Sequence, residues 1–128
     1  MKILIVDDKA SIRGAMKHIL AGFGFSDIAE AADGEQAWQM INHAEEKENG
    51  SGFDLVISDM EMPGMSGLEL LRTIRNTPDL NTLPFIMATT VSARQIIMET
   101  MRLGVQAYII KPFDASSVEL KLKQAGIL

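Results

Sequence analysis

The chain lacks cysteine altogether, although it has 128 residues. Disulfides, zinc–thiolate sites, iron–sulfur clusters and cysteine nucleophiles are therefore excluded. Basic residues are also in deficit, with 12 against 17 acidic ones and a net charge of −5. Nucleic-acid backbones release counterions to clustered Lys and Arg, so direct binding to nucleic acid is not expected.

Long apolar runs are missing as well. None approaches the roughly 20 residues of a membrane span, and the first apolar run is too short for a signal-peptide core. We therefore expect a cytoplasmic protein without a membrane partner. The 47% hydrophobic content is typical of a globular protein, and this length predicts a single domain with a substantial core.

Five short apolar runs alternate with five helix-like stretches. The predicted strands are 2–6, 28–31, 54–58, 85–88 and 107–110, and the predicted helices are 10–21, 35–46, 68–75, 93–103 and 115–125, with a loop at 48–52. Such alternation indicates parallel strands joined by right-handed crossovers. The predicted fold class is a three-layer α/β sandwich with a doubly wound five-stranded parallel sheet.

Acidic residues follow two of these strands directly. Asp7 and Asp8 come after the first strand, and Asp59 comes after the third. Ligands of doubly wound sheets bind beyond the carboxyl ends of the strands, so we expect the three carboxylates to share one crevice if the two strands are neighbours. Such a cluster must take up protons or bind a cation, and Mg²⁺ prefers oxygen ligands of this kind. Mg²⁺ beside a carboxylate suggests phosphoryl chemistry.

At these positions the chain resembles the receiver domain of response regulators in two-component systems, most of all the stand-alone chemotaxis-type receivers. The resemblance covers essentially the whole chain. It implies one receiver domain over residues 1–128 and a flavodoxin-like sheet in the order 2-1-3-4-5. Four motifs carry it: Val6-Asp7-Asp8, the run from Ser58-Asp59 to Ser66-Gly67, Ala88-Thr89, and Tyr108-Ile109-Ile110-Lys111-Pro112-Phe113.

The resemblance implies a set of roles at the predicted crevice. Asp59 would be the phosphoryl acceptor, a carboxylate nucleophile. Asp7, Asp8 and Asp59 would hold Mg²⁺, with Mn²⁺ as a possible substitute, together with the main-chain carbonyl of Glu61. Lys111 would pair with the acceptor and then with the phosphoryl oxygens.

Two further residues match the parts that transmit the change. Thr89 matches the hydroxyl that moves towards the new phosphoryl group, and Tyr108 matches the aromatic residue whose burial then changes. The Lys111-Pro112 bond matches one that is cis in the family. A sensor histidine kinase or phosphotransfer protein would be the donor. A downstream protein target would bind the face formed by helix 4, strand 5 and helix 5.

Because the chain ends soon after the fifth helix, we expect a stand-alone receiver without an output domain, and a phosphoacceptor switch rather than an enzyme. Three positions depart from the family pattern. Glu61 adds a carboxylate near the acceptor, Thr90 adds bulk, and Val91 cannot orient a hydrolytic water. We expect these residues to tune the lifetime of the phosphoryl group.

Other interpretations remain open at this point. A Mg²⁺-dependent aspartyl-phosphate phosphatase is the alternative function, because Asp59-Met60-Glu61 faintly resembles the two-acid motif of haloacid dehalogenase-type hydrolases. A nucleotide-binding module is weaker, since Gly22-Phe23-Gly24 lacks the third glycine and the chain has no P-loop lysine pattern. A receiver that works as a constitutive scaffold is another possibility. Asp8 alone could instead cap the first helix.

Overall fold

The computed structural model describes residues 1–43 and 52–128. Five parallel strands form one sheet in the order β2-β1-β3-β4-β5. The strands are β1 Lys2–Val6, β2 Asp27–Ala31, β3 Leu55–Ser58, β4 Phe85–Thr89 and β5 Ala107–Ile110. The helices are α1 Ala10–Gly22, α2 Gly34–His43, α3 Gly67–Arg75, α4 Arg94–Arg102 and α5 Ala115–Gln124.

Helices cover both faces of this sheet, so the central strands are apolar on both sides. In β1, Leu4 and Val6 pack towards α2 and α3, whereas Ile3 and Ile5 pack towards α1 and α5. This alternation follows from the two-residue period of a strand. The result is the predicted flavodoxin-like α/β sandwich with its predicted strand order.

The predicted bounds agree with the structure to within one or two residues over the described part of the chain. Gly67 was expected in a loop but begins α3, because the Ser66 side chain accepts a hydrogen bond from the Glu69 amide and caps the helix. Thr89 belongs to β4, where it is paired with Ile110 of β5. The predicted end of helix 2 at residue 46 and nearly all of the 48–52 loop lie outside the described residues.

In the described part, no helix is long and apolar enough to span a membrane.

Candidate functional site

The pairing of β1 with β3 brings the three acidic residues together. Val6 is paired with Ser58, and the Asp59 amide donates to the Val6 carbonyl at 2.9 Å. Asp7 and Asp59, each next along its strand, therefore lie side by side. One carboxylate oxygen from each of Asp7, Asp8 and Asp59 lies within 4.8 Å of the others. Asp7 and Asp59 are only 2% and 8% exposed, while Asp8 is exposed.

The Asp59 carboxylate is held by the chain that follows it. Its Oδ1 accepts a hydrogen bond from the Met60 amide at 2.7 Å. The Gly67 amide donates to the Met60 carbonyl at 2.9 Å, so the loop returns against the end of β3 beside Asp59. A Cβ on Gly67 would come within 2.0 Å of the Asp59 carbonyl oxygen. Only glycine fits this position, which the sequence showed merely as the end of a glycine- and proline-marked loop.

Lys111 reaches both buried carboxylates from the end of β5. Its Nζ lies 2.6 Å from Oδ2 of Asp7 and 3.4 Å from Oδ2 of Asp59. The lysine expected to pair with the acceptor thus makes its shorter contact with Asp7. One ammonium between two buried carboxylates reduces their mutual repulsion. The following Lys111-Pro112 bond is cis, as the family resemblance implied.

The first helix is not capped by Asp8. Its N-cap is Lys9, without a side-chain cap, and Oδ1 of Asp7 accepts from the Lys9 amide at 2.9 Å. Within the described residues, Asp8 makes no hydrogen bond or ion pair. Arg13 is not among the predicted site residues, but its Nη1 donates to the main-chain carbonyl of Asp7 at 2.7 Å. The only signal was a basic residue early in α1, close behind the two acids.

Thr89 and Tyr108 are both linked to Val91. The Thr89 hydroxyl oxygen accepts from the Val91 amide at 3.3 Å, and the Tyr108 hydroxyl donates to the Val91 carbonyl at 2.7 Å. Thr89 is fully buried and Tyr108 is 7% exposed. Burial raises the pKa of Tyr108, and the negative charges of Asp59 and Glu61 raise it further. The phenol therefore stays protonated, and able to donate, to a higher pH than an ordinary tyrosine.

An open crevice of about 490 Å³ lies over Asp8 and Asp59. Two of the three residues that depart from the family pattern, Glu61 and Thr90, line it. The third, Val91, is half-buried and packs against the hydrophobic cluster between the sheet and α2, α3 and α4. The crevice is lined by Asp8, Lys9, Ile12, Asp59, Glu61, Thr90, Lys111 and Pro112.

This donor set fits a hard divalent cation. Three carboxylates offer oxygens close enough to share one ion, and oxygen-only ligands favour Mg²⁺ or Mn²⁺ over softer metals. Asp8 is exposed to the crevice and has no competing partner among the described residues, so its carboxylate is available to a cation. The acidic cluster could therefore hold a metal.

A doubly wound sheet in this order, with an acidic crevice at the ends of β1 and β3, defines the receiver class of signalling domains. The chain belongs to the response regulator receiver domain family, which residues 3–123 match. It is similar to chemotaxis protein CheY-3 of Vibrio cholerae serotype O1, with 41% identity over 95% of this chain and 88% of that protein. It is also similar to chemotaxis protein CheY of Pseudomonas aeruginosa, with 39% identity over 97% of this chain and 94% of that protein.

Comparison of the fold with solved structures agrees with the comparison of sequences. The structure of chemotaxis protein CheY4 of Vibrio cholerae superposes with a TM-score of 0.80 and 31% identity, and the match covers 97% of each chain. The protein is thus a receiver domain of a CheY-like response regulator in two-component signalling. The predicted family and strand order are confirmed.

Proposed function

We propose that Asp59 accepts a phosphoryl group, in a Mg²⁺-dependent reaction, from a sensor histidine kinase or a phosphotransfer protein. The observation that carries this proposal is the grouping of Asp59 with Asp7, Asp8 and Lys111. Their carboxylates lie within 4.8 Å of one another, and a lysine ammonium contacts two of them. Such a pocket suits a carboxylate nucleophile that must meet an anionic donor.

In the proposed step, an Asp59 carboxylate oxygen bonds to the donor phosphorus while the phosphorus–nitrogen bond to the donor histidine breaks. The Met60 amide and the buried position fix the acceptor in one orientation. Lys111 lies where its ammonium can move from the carboxylates to the transferred oxygens. A bound Mg²⁺, held by Asp7, Asp8, Asp59 and the main-chain carbonyl of Glu61, would neutralise the charge of nucleophile and donor.

The proposed output is a change in the face formed by α4, β5 and α5. A phosphoryl group on Asp59 adds strong acceptor oxygens at the end of β3, which pairs with β4, the strand that ends at Thr89. If Thr89 turns towards them, the Val91 amide loses its acceptor and the Tyr108 contact to Val91 is disturbed. A downstream protein target would read the change. Three exposed apolar side chains on this face support protein binding: Met98 at 44%, Met101 at 50% and Ile110 at 42% exposure.

The test is incubation with Mg²⁺ and acetyl phosphate, followed by intact-mass measurement. We expect one phosphoryl adduct on the wild-type chain and none on Asp59→Asn. Asp54→Asn is the matched control, since Asp54 lies at the opposite end of β3 and accepts from the Lys2 amide; it should be phosphorylated normally. An adduct on Asp59→Asn would overturn the assignment. Multiple turnover of simple phosphate esters would instead favour the phosphatase.

A further inference from the structure

Arg13 makes a two-sided contact behind the acidic crevice. Its Nη1 donates to the main-chain carbonyl of Asp7 at 2.7 Å, and its Nε donates to Oε1 of Glu30 at 3.1 Å. The Arg13 side chain is only 18% exposed. We propose that Arg13 is a positioning residue for the cation site, because it holds the peptide unit that joins Asp7 to Asp8. This inference rests on the proposed function.

The need for such a support follows from the unequal fixing of the two acids. The Asp7 side chain is held by the Lys9 amide and by Lys111. Asp8 has no hydrogen bond or ion pair within residues 1–43 and 52–128. No contact among the described residues places its carboxylate, so only the backbone fixes the point from which this side chain extends, and Arg13 contacts the carbonyl at the start of that peptide unit. Groups outside a metal's ligand shell commonly orient the ligands in this way.

Glu30 explains why an arginine suits this position. Glu30 lies on β2, paired in register with Ile5 of β1, so it is fixed by the sheet. The guanidinium spans from this carboxylate to the Asp7 carbonyl with two different nitrogens. A lysine has a single nitrogen and cannot reproduce the fork. Lys17 also approaches Glu30, at 3.8 Å, but is not among the donors to Asp7.

Charge and positioning predict opposite effects. Arg13 is a cation close to the acidic residues, so electrostatic repulsion alone predicts that Mg²⁺ binds more tightly once its charge is removed. Positioning predicts weaker binding. The direction of the change in Mg²⁺ affinity therefore separates the two roles.

The experiment is titration calorimetry with Mg²⁺ alone, at fixed ionic strength, on four proteins. We expect Arg13→Met, which keeps the aliphatic stem, to weaken Mg²⁺ binding about tenfold. Arg13→Lys keeps the positive charge but cannot donate from two separate nitrogens, so its affinity for Mg²⁺ should fall to a smaller extent. Lys17→Ala removes a neighbouring cation that also contacts Glu30, and should bind Mg²⁺ as tightly as wild type or slightly more tightly.

Unchanged or tighter binding by Arg13→Met would overturn the inference. Thermal unfolding shows whether each variant folds; if Arg13→Met does not, Arg13→Lys decides, and affinity equal to wild type then overturns the inference. Failure of the wild-type chain itself to bind Mg²⁺ would contradict the proposed function. Normal wild-type binding with no effect of either Arg13 variant would contradict only the role of Arg13.

Discussion

Lys111 lies closer to Asp7 than to Asp59: its Nζ is 2.6 Å from the first carboxylate and 3.4 Å from the second. The lysine side chain is 10% exposed, and those of Asp7 and Asp59 are 3% and 10% exposed. One buried ammonium therefore accompanies two buried carboxylates. Removing the Lys111 ammonium would leave two buried carboxylates without a compensating positive charge.

We expect Lys111→Met to lower the free energy of unfolding by about 3 kcal/mol, because it leaves buried charges uncompensated. Mg²⁺ should still bind and should restore part of this stability. Urea unfolding with and without Mg²⁺ measures both effects. Lys123→Ala is the control: its ion pair with Glu119 is exposed, so the loss should stay below about 1 kcal/mol. Equal losses in the two variants would contradict this account of Lys111.

Gly67 should not tolerate even alanine. The added Cβ would meet the Asp59 carbonyl oxygen at 2.0 Å and the Met60 Cα at 2.9 Å, and neither backbone atom can yield without moving Asp59. We expect Gly67→Ala to cost about 1–3 kcal/mol of stability and to lower the yield of phosphorylated protein. Gly14→Ala, with open space around it, should stabilise α1 by about 0.5–1 kcal/mol. Normal phosphorylation of Gly67→Ala would show that the close approach is unimportant.

Thr89 and Tyr108 should be energetically coupled, since both bond to the backbone of Val91. We expect a double-mutant cycle with Thr89→Val and Tyr108→Phe to give a coupling of about 0.5–1 kcal/mol in unfolding free energy. The control cycle pairs Thr89→Val with Thr100→Val, because the Thr100 hydroxyl donates instead to Ile96. Strict additivity in the first cycle would argue against a link through Val91.

Tyr108 is the only tyrosine of the chain, so its titration can be followed directly by phenolate absorbance. We expect a pKa above the ordinary 10.0, raised first by burial and then by Asp59 and Glu61. Asp59→Asn should move the pKa part of the way back.

The raised pKa of Tyr108 determines how the stability of the fold changes with pH. The folded chain holds the phenolic proton more tightly than the unfolded chain, so the associated stability is fully present below pH 10 and is lost as the pH rises through the folded-state pKa. A titration midpoint at or below the ordinary value, with the fold intact by circular dichroism, would contradict the burial argument.

Glu61 and Thr90 line the crevice, so they should control access to the acceptor. We expect Glu61→Asn to speed phosphorylation by acetyl phosphate several-fold at low ionic strength, with a smaller gain in high salt, because a negative charge is removed from an anion's path. Thr90→Ala should also speed the reaction, without the salt dependence.

Dephosphorylation of the same variants tests the lifetime of the phosphoryl group. Val91→Glu adds a carboxylate where the family resemblance implies that a polar side chain can orient water, and its rate should differ from wild type. If Glu61→Asn, Thr90→Ala and Val91→Glu all lose the phosphoryl group at the wild-type rate, these positions do not tune its lifetime.

Several features were determined by the sequence alone, because they depend on local pattern. Continuous apolar runs such as Ile3 to Val6 form buried strands, and their alternation with helices makes the sheet parallel. Asp7, Asp8 and Asp59 directly follow two such strands, so neighbouring strands had to bring them to one edge. The motifs identified the family, and with it the strand order.

The tertiary structure alone decided how the side chains are shared at the site. Lys111 is 104 positions from Asp7 and comes from a strand separated from β1 by two others, so no local pattern could show which acid it approaches more closely. The contacts of Arg13 with Asp7 and of Gly67 with Asp59 depend on how a helix and a loop pack against the strand ends. Such packing is set by long-range burial, whereas the sequence pattern reports only which residues are buried and where each strand ends.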